Sequence, residues 1–144
     1  MILFKYLKAI LLILAYKFCI VSSDECVIHT GFEGTIAESK YANQFEMCWK
    51  IIVPPGSFVQ LSLESYTSQY DCPHSTLTVT VLNRDEPYSF CPSGSTEMPI
   101  IASDDVIINF KINYGYWFTS SFKMRYKNRQ VFLSYHHNKG FAKN

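Results

Sequence analysis

The sequence lacks the short motifs that would mark an enzyme or a metalloprotein. It has no Gly-x-Ser-x-Gly and no His-Glu-x-x-His, and its adjacent carboxylates Asp104 and Asp105 fall in an expected turn. Neither a nucleophile with its base nor a carboxylate pair in a cleft is available. No catalytic residue and no cofactor is expected. There is no C-x-x-C pair, and no histidine couple lies near the cysteines, which removes the common zinc arrangements. No asparagine has Ser or Thr two places on, so N-glycosylation is not expected. Convincing helical periodicity is absent as well. After residue 23 no apolar run is long enough to span a membrane, which takes ~20 residues. Internal repeats, linkers and low-complexity segments are missing too.

The chain opens with Lys5 and Lys8, the apolar run Ala9 to Tyr16, and small residues at Ser22-Ser23. That order of a basic region, a short apolar region and small residues is a signal peptide, residues 1–23, with cleavage after Ser23. Lys17 interrupts the only window that could act as a membrane anchor. The expected product is secreted and soluble, with no transmembrane anchor. Cleavage takes three of the 13 basic residues and none of the 12 acidic ones, leaving ten against twelve. All the acids lie in residues 24–122 with four basic residues, and the other six basic residues lie at or after Lys123. The body is acidic and the end of the chain is basic. A secreted, net-acidic domain without a recognised motif is a poor nucleic-acid binder.

Cys19 leaves with the signal, so Cys26, Cys48, Cys72 and Cys91 remain. Four cysteines in a short secreted domain imply two disulfides, with three possible connectivities. Each bridge stabilises the fold by ~2–4 kcal/mol, chiefly by restricting the unfolded chain.

Period-two alternation then sets the architecture. Trp49, Ile51 and Val53 share one strand face, Val59, Leu61 and Leu63 another, and Pro54-Pro55-Gly56 lies between them. The pattern predicts two antiparallel strands joined at an exposed turn. Residues 24–44 carry only a short strand at Gly34-Thr35-Ile36, and Glu64 to Asp71 is expected to be a polar loop. Leu77, Val79 and Val81 alternate with threonines, Tyr88-Ser89-Phe90 is a short strand, and Val106, Ile108, Phe110 and Ile112 mark another. The last strand turns Phe122, Met124 and Tyr126 inward and Lys123, Arg125, Lys127 and Arg129 outward. Seven or eight short strands without a helix predict an all-β fold, a sandwich of two antiparallel sheets.

At this point the residues resemble the CUB domain family over nearly the whole mature chain. The family pattern runs Cys-x-Trp-x-Ile-x-x-Pro-x-Gly-x-x-Ile-x-Leu, and Trp49, Ile51, Pro54, Gly56, Val59 and Leu61 keep that spacing. Its Cys-x-Tyr-Asp-x-Leu-x-Val looks like Cys72 through Val79. Its proline, serine turn and alternating strand look like Pro99 through Phe110, and its closing Gly-Phe-x-Ala-x-Tyr looks like Ser121 through Tyr126. Short secreted nematode CUB-like proteins are the nearest flavour. The resemblance implies a CUB-like jelly roll over residues 24–126, a basic tail at 127–144, and bridges Cys26–Cys48 and Cys72–Cys91. One departure stands out: Cys48 directly precedes Trp49, where the family has one residue between them. In a regular strand that turns the thiol away from the Trp49 face, so a bulge or local shift is expected there.

Many CUB domains hold calcium with one glutamate and two aspartates. Here Glu64 matches the first position, but Ser75 and Asn113 stand where the aspartates would be. One carboxylate of three offsets little of the ion's dehydration, so the site reads as degenerate and no metal is expected. Two surfaces remain as candidates. Lys123, Arg125, Lys127 and Arg129 form a basic stripe suited to an acidic partner, or simply a solvated face balancing the acidic body. Tyr66, Tyr70, Tyr114, Tyr116 and Trp117 crowd two expected loops, where aromatics suit sugar or protein contacts. Val131-Phe132-Leu133 would pack on the sandwich, and His29, His74, His136 and His137 read as surface residues. The expected function is a non-catalytic extracellular binding module for a protein or glycan. The alternative is a self-assembling matrix component, and the oligomeric state is left open.

Overall fold

In the computed structural model, residues 25–94 and 98–130 are described. The expected signal peptide, the Val131-Phe132-Leu133 segment and the paired histidines of the expected tail lie outside them. Seven strands form in chain order: β1 (Val27–His29), β2 (Glu33–Ile51), β3 (Ser57–Ser68), β4 (Ser75–Val81), β5 (Tyr88–Phe90), β6 (Ile100–Ala102) and β7 (Val106–Gln130). No helix occurs among the described residues. β7 continues four residues beyond Tyr126, so the basic end begins inside a strand.

Two long strands organise the rest. β2 and β7 run antiparallel from Glu33↔Lys127 to Ile51↔Val106. The N-terminal part of β2 pairs with residues 118–127 of β7, which in turn pairs with β3, and β3 with β6. The C-terminal part of β2 pairs with residues 106–113 of β7, which pairs with β4, and β4 with β5. The ladder is continuous, but it is folded over. Phe110 and Phe122 are twelve positions apart on β7, a span of about 40 Å if the strand were straight, yet their ring centroids are 5.0 Å apart. Trp49 likewise meets Phe122 at 5.4 Å. These contacts make the fold an all-β sandwich of two sheets.

The core follows from strand parity. Leu77, Val79 and Val81 point inward on β4, and Val106, Ile108, Phe110, Ile112, Phe118, Phe122, Met124 and Tyr126 do so on β7. Ser75 and Ser120 are buried among them, joined Oγ to Oγ at 2.6 Å, and the Tyr66 hydroxyl reaches Ser75 Oγ at 2.9 Å. A buried polar group needs such partners. Burial first, opposed by the Ser75 bond, pushes the Tyr66 hydroxyl up to about 12.

Several expectations need correction. The two arms around Pro54-Pro55-Gly56 are not hydrogen-bonded neighbours: Trp49 to Ile51 pair with residues 106–108 of β7 in one layer, and β3 pairs with residues 120–130 of β7 in the other. Ser57 N–H bonds to Pro54 C=O at 3.0 Å and Gly56 has a positive φ, +73°. Pro at the second and Gly at the third position make a type II turn, whereas tight hairpins prefer the primed turns. The chain therefore crosses between layers here.

The region 24–44 is not loop with one short strand, because Glu33 onward belongs to β2. It is an edge strand whose only deeply buried side chains before the corner are Ile36 and Ala42, so its alternation is faint. Glu64 to Asp71 is likewise mostly strand, since β3 continues to Ser68. Its parity breaks at Glu64, which has no partner between Leu63↔Met124 and Ser65↔Lys123. One pairing is also parallel rather than antiparallel, that of β1 with β2.

The disulfides are Cys26–Cys48 and Cys72–Cys91, as the resemblance implied. The first needs no bulge. β1 pairs with β2 through Val27↔Trp49, so the same parallel register brings Cys26 beside Cys48, with Cα atoms 4.7 Å apart. The bridge lies on the face opposite Trp49 and links neighbouring strands there.

Two local devices generate predictions. Tyr126 lies flat over its cross-strand partner Gly34, and a Cβ at that glycine would come within 2.7 Å of the ring. Gly34→Ala should destabilise the domain by about 1–3 kcal/mol through overpacking, read from the midpoint of denaturant unfolding. Asp105 Oδ1 accepts the Val53 N–H at 2.9 Å, and Oδ2 meets Lys50 Nζ at 3.1 Å. The Val53 bond first, then Lys50, hold its carboxyl below the ordinary 3.8 despite partial burial. A depressed carboxyl stabilises the fold above its ordinary range, and the contribution is lost as pH falls through the folded value. Asp105→Ala should cost about 1–2 kcal/mol at neutral pH, and the melting-temperature gap to wild type should shrink below about pH 4.

Candidate functional site

The corner where the ladder folds over carries the exposed aromatics Tyr41, Tyr70, Tyr116 and Trp117. Ala42 pairs with Phe118 and Gln44 with Asn113, so Asn43 alone faces the four residues Tyr114 to Trp117. Four residues against one cannot keep a flat ladder, and an extra-residue irregularity bends strands and re-aims side chains. The surplus splays outward. Trp117 meets Tyr41 with ring centroids 5.5 Å apart. Tyr114 meets His74 at 4.2 Å, Tyr70 at 4.7 Å and Tyr116 at 5.6 Å. Phe118 supports Tyr70 from the core side at 5.1 Å. Tyr41, Tyr116 and Trp117 keep 65%, 70% and 59% of their surface in water. That is unusual for rings of this size, which bury 150–250 Å² each in a core.

The backbone holds this surface in place. Asn113 N–H donates to His74 C=O at 2.9 Å, and Gln69 N–H to Thr119 C=O at 3.3 Å. The Cys72–Cys91 bridge fixes the loop between them. Gln69 and Asp71, which flank Tyr70 in the chain, line an open cleft of about 390 Å³ together with Tyr66, Thr67, Ser68 and Ser93 among others. The Asp71 carboxylate accepts the Ser93 hydroxyl and the Cys72 N–H. Those two bonds, Ser93 first, hold it below the usual carboxylate value. The corner thus offers apolar ring faces, and the cleft next along the chain from Tyr70 offers hydroxyls, an amide and one carboxylate.

Residues 114–117 lie within β7 and not in a loop; Tyr114 meets Tyr116 and Tyr70, whereas Trp117 meets Tyr41 in a separate contact. Tyr66 is not in a loop: it sits on β3, half-buried against Phe110. Tyr41 and His74 were missed as members. Tyr41 lies on the outer face of an edge strand with no apolar pattern around it. His74 joins from a turn through a ring contact with Tyr114 of β7, which no spacing rule anticipates.

The basic stripe stands on one outer face of β7, but its charges are largely engaged. Lys123 Nζ and Arg125 Nη2 each lie 2.7 Å from a different oxygen of Glu64, and Lys127 Nζ lies 3.5 Å from Glu33. The hydrogen bond from Lys123 leads, with the Arg125 charge, in holding the Glu64 carboxyl below its usual value against slight burial. Arg129 has no ion pair among the described residues. Glu64 reaches both cations because it is the unmatched bulge residue of β3.

The donor set at Glu64, Ser75 and Asn113 does not fit calcium. Both oxygens of its single carboxylate face cations, and Ser75 is fully buried in the Tyr66–Ser75–Ser120 network. Asp71, Cys72 and Cys91 lie close together, but the two sulfurs are bonded to each other and offer no thiolate.

A disulfide-tied, two-layer β-sandwich with a polar loop end is the class these observations define. Its fold is that of CUB domains. The chain is similar to the CUB1-EGF-CUB2 domains of rat MASP-1, at 21% identity and TM-score 0.56 over 74% of this chain and 44% of that one. It is also similar to the MASP-1 CUB2 domain bound to Ca2+, at 23% identity and TM-score 0.53 over 66% of this chain and 96% of that one. The full extracellular region of zebrafish Gpr126/Adgrg6 matches at 19% identity and TM-score 0.59, over 74% of this chain and 15% of that one. The chain thus spans under half of the multidomain MASP-1 fragment it resembles. These likenesses support the CUB-like fold and not a nematode type. No family model and no curated protein matches the sequence.

Calcium titration of the refolded domain should leave its melting temperature unchanged. A rise of several degrees at submillimolar calcium would show that Glu64 exchanges its cations for the ion.

Proposed function

We propose that the chain is a secreted, non-catalytic extracellular module that captures a glycan or protein ligand at the aromatic corner. The observation that carries this is two sets of aromatic contacts at the one corner, Tyr41 with Trp117 and Tyr114 with Tyr70 and Tyr116, held on a rigid sandwich with three of the rings mostly in water. Flat rings on a fixed backbone offer contact area with little ordering cost, and aromatic residues dominate binding hot spots. The neighbouring hydroxyls and the Asp71 carboxylate suit the hydroxyl groups of an uncharged sugar. The two paired disulfides, the signal-like start and the CUB fold support an extracellular setting. Glu64 and Glu33 already engage three of the four stripe cations, which weighs against an acidic ligand on β7.

Binding of the mature domain to a glycan array and to heparin at two salt concentrations tests this, alongside Trp117→Ala and a version ending at residue 130. Binding to neutral sugars should survive both high salt and truncation. It should fall about tenfold or more in Trp117→Ala, the equivalent of ~1.4 kcal/mol. Salt-sensitive heparin binding that truncation abolishes would move the site to the basic end of the chain. If no glycan binds, a protein ligand at the same corner becomes the reading to pursue.

A further inference from the structure

Among the described residues, one edge of the sandwich is open. β7 covers one side of β2 throughout, whereas among the described residues β1 joins the other side only from Trp49 onward. Among the described residues, 33–47 therefore present a free strand edge, a row of amide and carbonyl groups that a further strand can take up. Ser39 shows which groups face out. Its N–H goes to the carboxylate of its own neighbour Glu38, at 3.1 Å, and not to Ser121 across β7. Inward and outward pairs alternate along an antiparallel ladder, so Thr35, Ala37, Ser39 and Tyr41 turn their backbone groups to the open side.

We infer that this edge pairs with the same edge of a second copy of the chain, antiparallel, about a two-fold axis through Ser39. Charge register selects that axis. Residue 38 of one copy then stands opposite residue 40 of the other, so Glu38 meets Lys40 twice. Ile36 meets Ala42 on the inner face, and Ala37 meets Tyr41 on the outer. No like charges face each other. Moving the axis to Ala37 or Tyr41 keeps the outward backbone groups but sets Glu38 against Ile36 or Gln44, and Lys40 against Gly34 or Ala42. A two-fold contact of this kind is self-complementary and closes on itself.

The state of the two charges in a single chain fits this pairing. Neither Glu38 nor Lys40 has an ion-pair partner among the described residues. Lys40 Nζ instead rests over the Phe45 ring, 4.9 Å from its centroid. Pairing exchanges the Glu38–Ser39 hydrogen bond for reciprocal Ser39–Ser39 backbone bonds and frees the carboxylate for the other copy's ammonium. Within one chain the same two residues guard the edge, since the capped amide and the lysine disfavour a strand of the wrong charge order. The chain itself carries the right order.

Sedimentation velocity of the mature chain over a concentration series, at low and high salt, tests the pairing. A concentration-dependent dimer weakened by salt is expected. Glu38→Lys and Lys40→Glu should each weaken dimerisation about tenfold or more by replacing attractive cross-strand pairs with repulsive ones. The double variant E38K/K40E should restore it. Ser39→Pro removes the central donor where an edge strand tolerates proline, and should give a monomer with unchanged near-ultraviolet circular dichroism. A wild-type chain that stays monomeric at all concentrations would overturn the inference. So would a dimer that the single reversals leave intact, or a folded double variant that fails to recover.

Discussion

The pairing of β2 with β7 is the constraint on which the rest of the structure depends. It is one antiparallel ladder shared by both layers, so its bend sets how the layers face each other. Where it bends, β7 has four residues against one on β2, and side chains that would have pointed into a sheet are turned into water. The folding of the core and the exposure of the aromatic rings are two results of one mismatch. Phe110 and Phe122 meet inside because the strand turns back on itself, while Tyr116 and Trp117 stand outside at the turn.

Charge on this domain is arranged locally and not as a field. The acidic body and basic end of the sequence suggest a dipolar molecule. Cross-strand pairing instead sets Glu64 against Lys123 and Arg125, Glu33 against Lys127, and Glu46 against Lys111. Exposed pairs of this kind contribute little stability each, but they lower the potential that a highly charged ligand would sense. Glu64 shows how one backbone irregularity changes a residue's chemistry. As the unmatched residue of β3 it reaches two cations, and so it cannot serve as a free metal donor.

Much of the interior was legible because burial on a strand leaves a period-two trace. Leu77 to Val81, Val106 to Ile112 and Phe122 to Tyr126 alternate cleanly, and all of them point into the core. The trace fades where a strand lies at an edge. Glu33 to Ala42 offers only Ile36 and Ala42 to the interior and leaves the Gly34 position to the Tyr126 ring, so no pattern announces it. Parity also breaks at each bulge, which is why the polar stretch after Glu64 read as loop. Spacing in a sequence describes the face a residue occupies and says nothing of which strand lies beside it.

The sequence by itself determined an all-β, two-bridge domain with its inward residues and its aromatic-rich segment at Tyr114 to Trp117, since alternation, turn residues and cysteine number are local properties. Only the tertiary structure decided that the Pro54-Pro55-Gly56 turn crosses between layers, that Cys26 and Cys48 meet through a parallel register, and that Tyr41 and His74 join the corner. Those outcomes depend on contacts between segments far apart in the chain, where pairing partners are chosen by how whole faces pack.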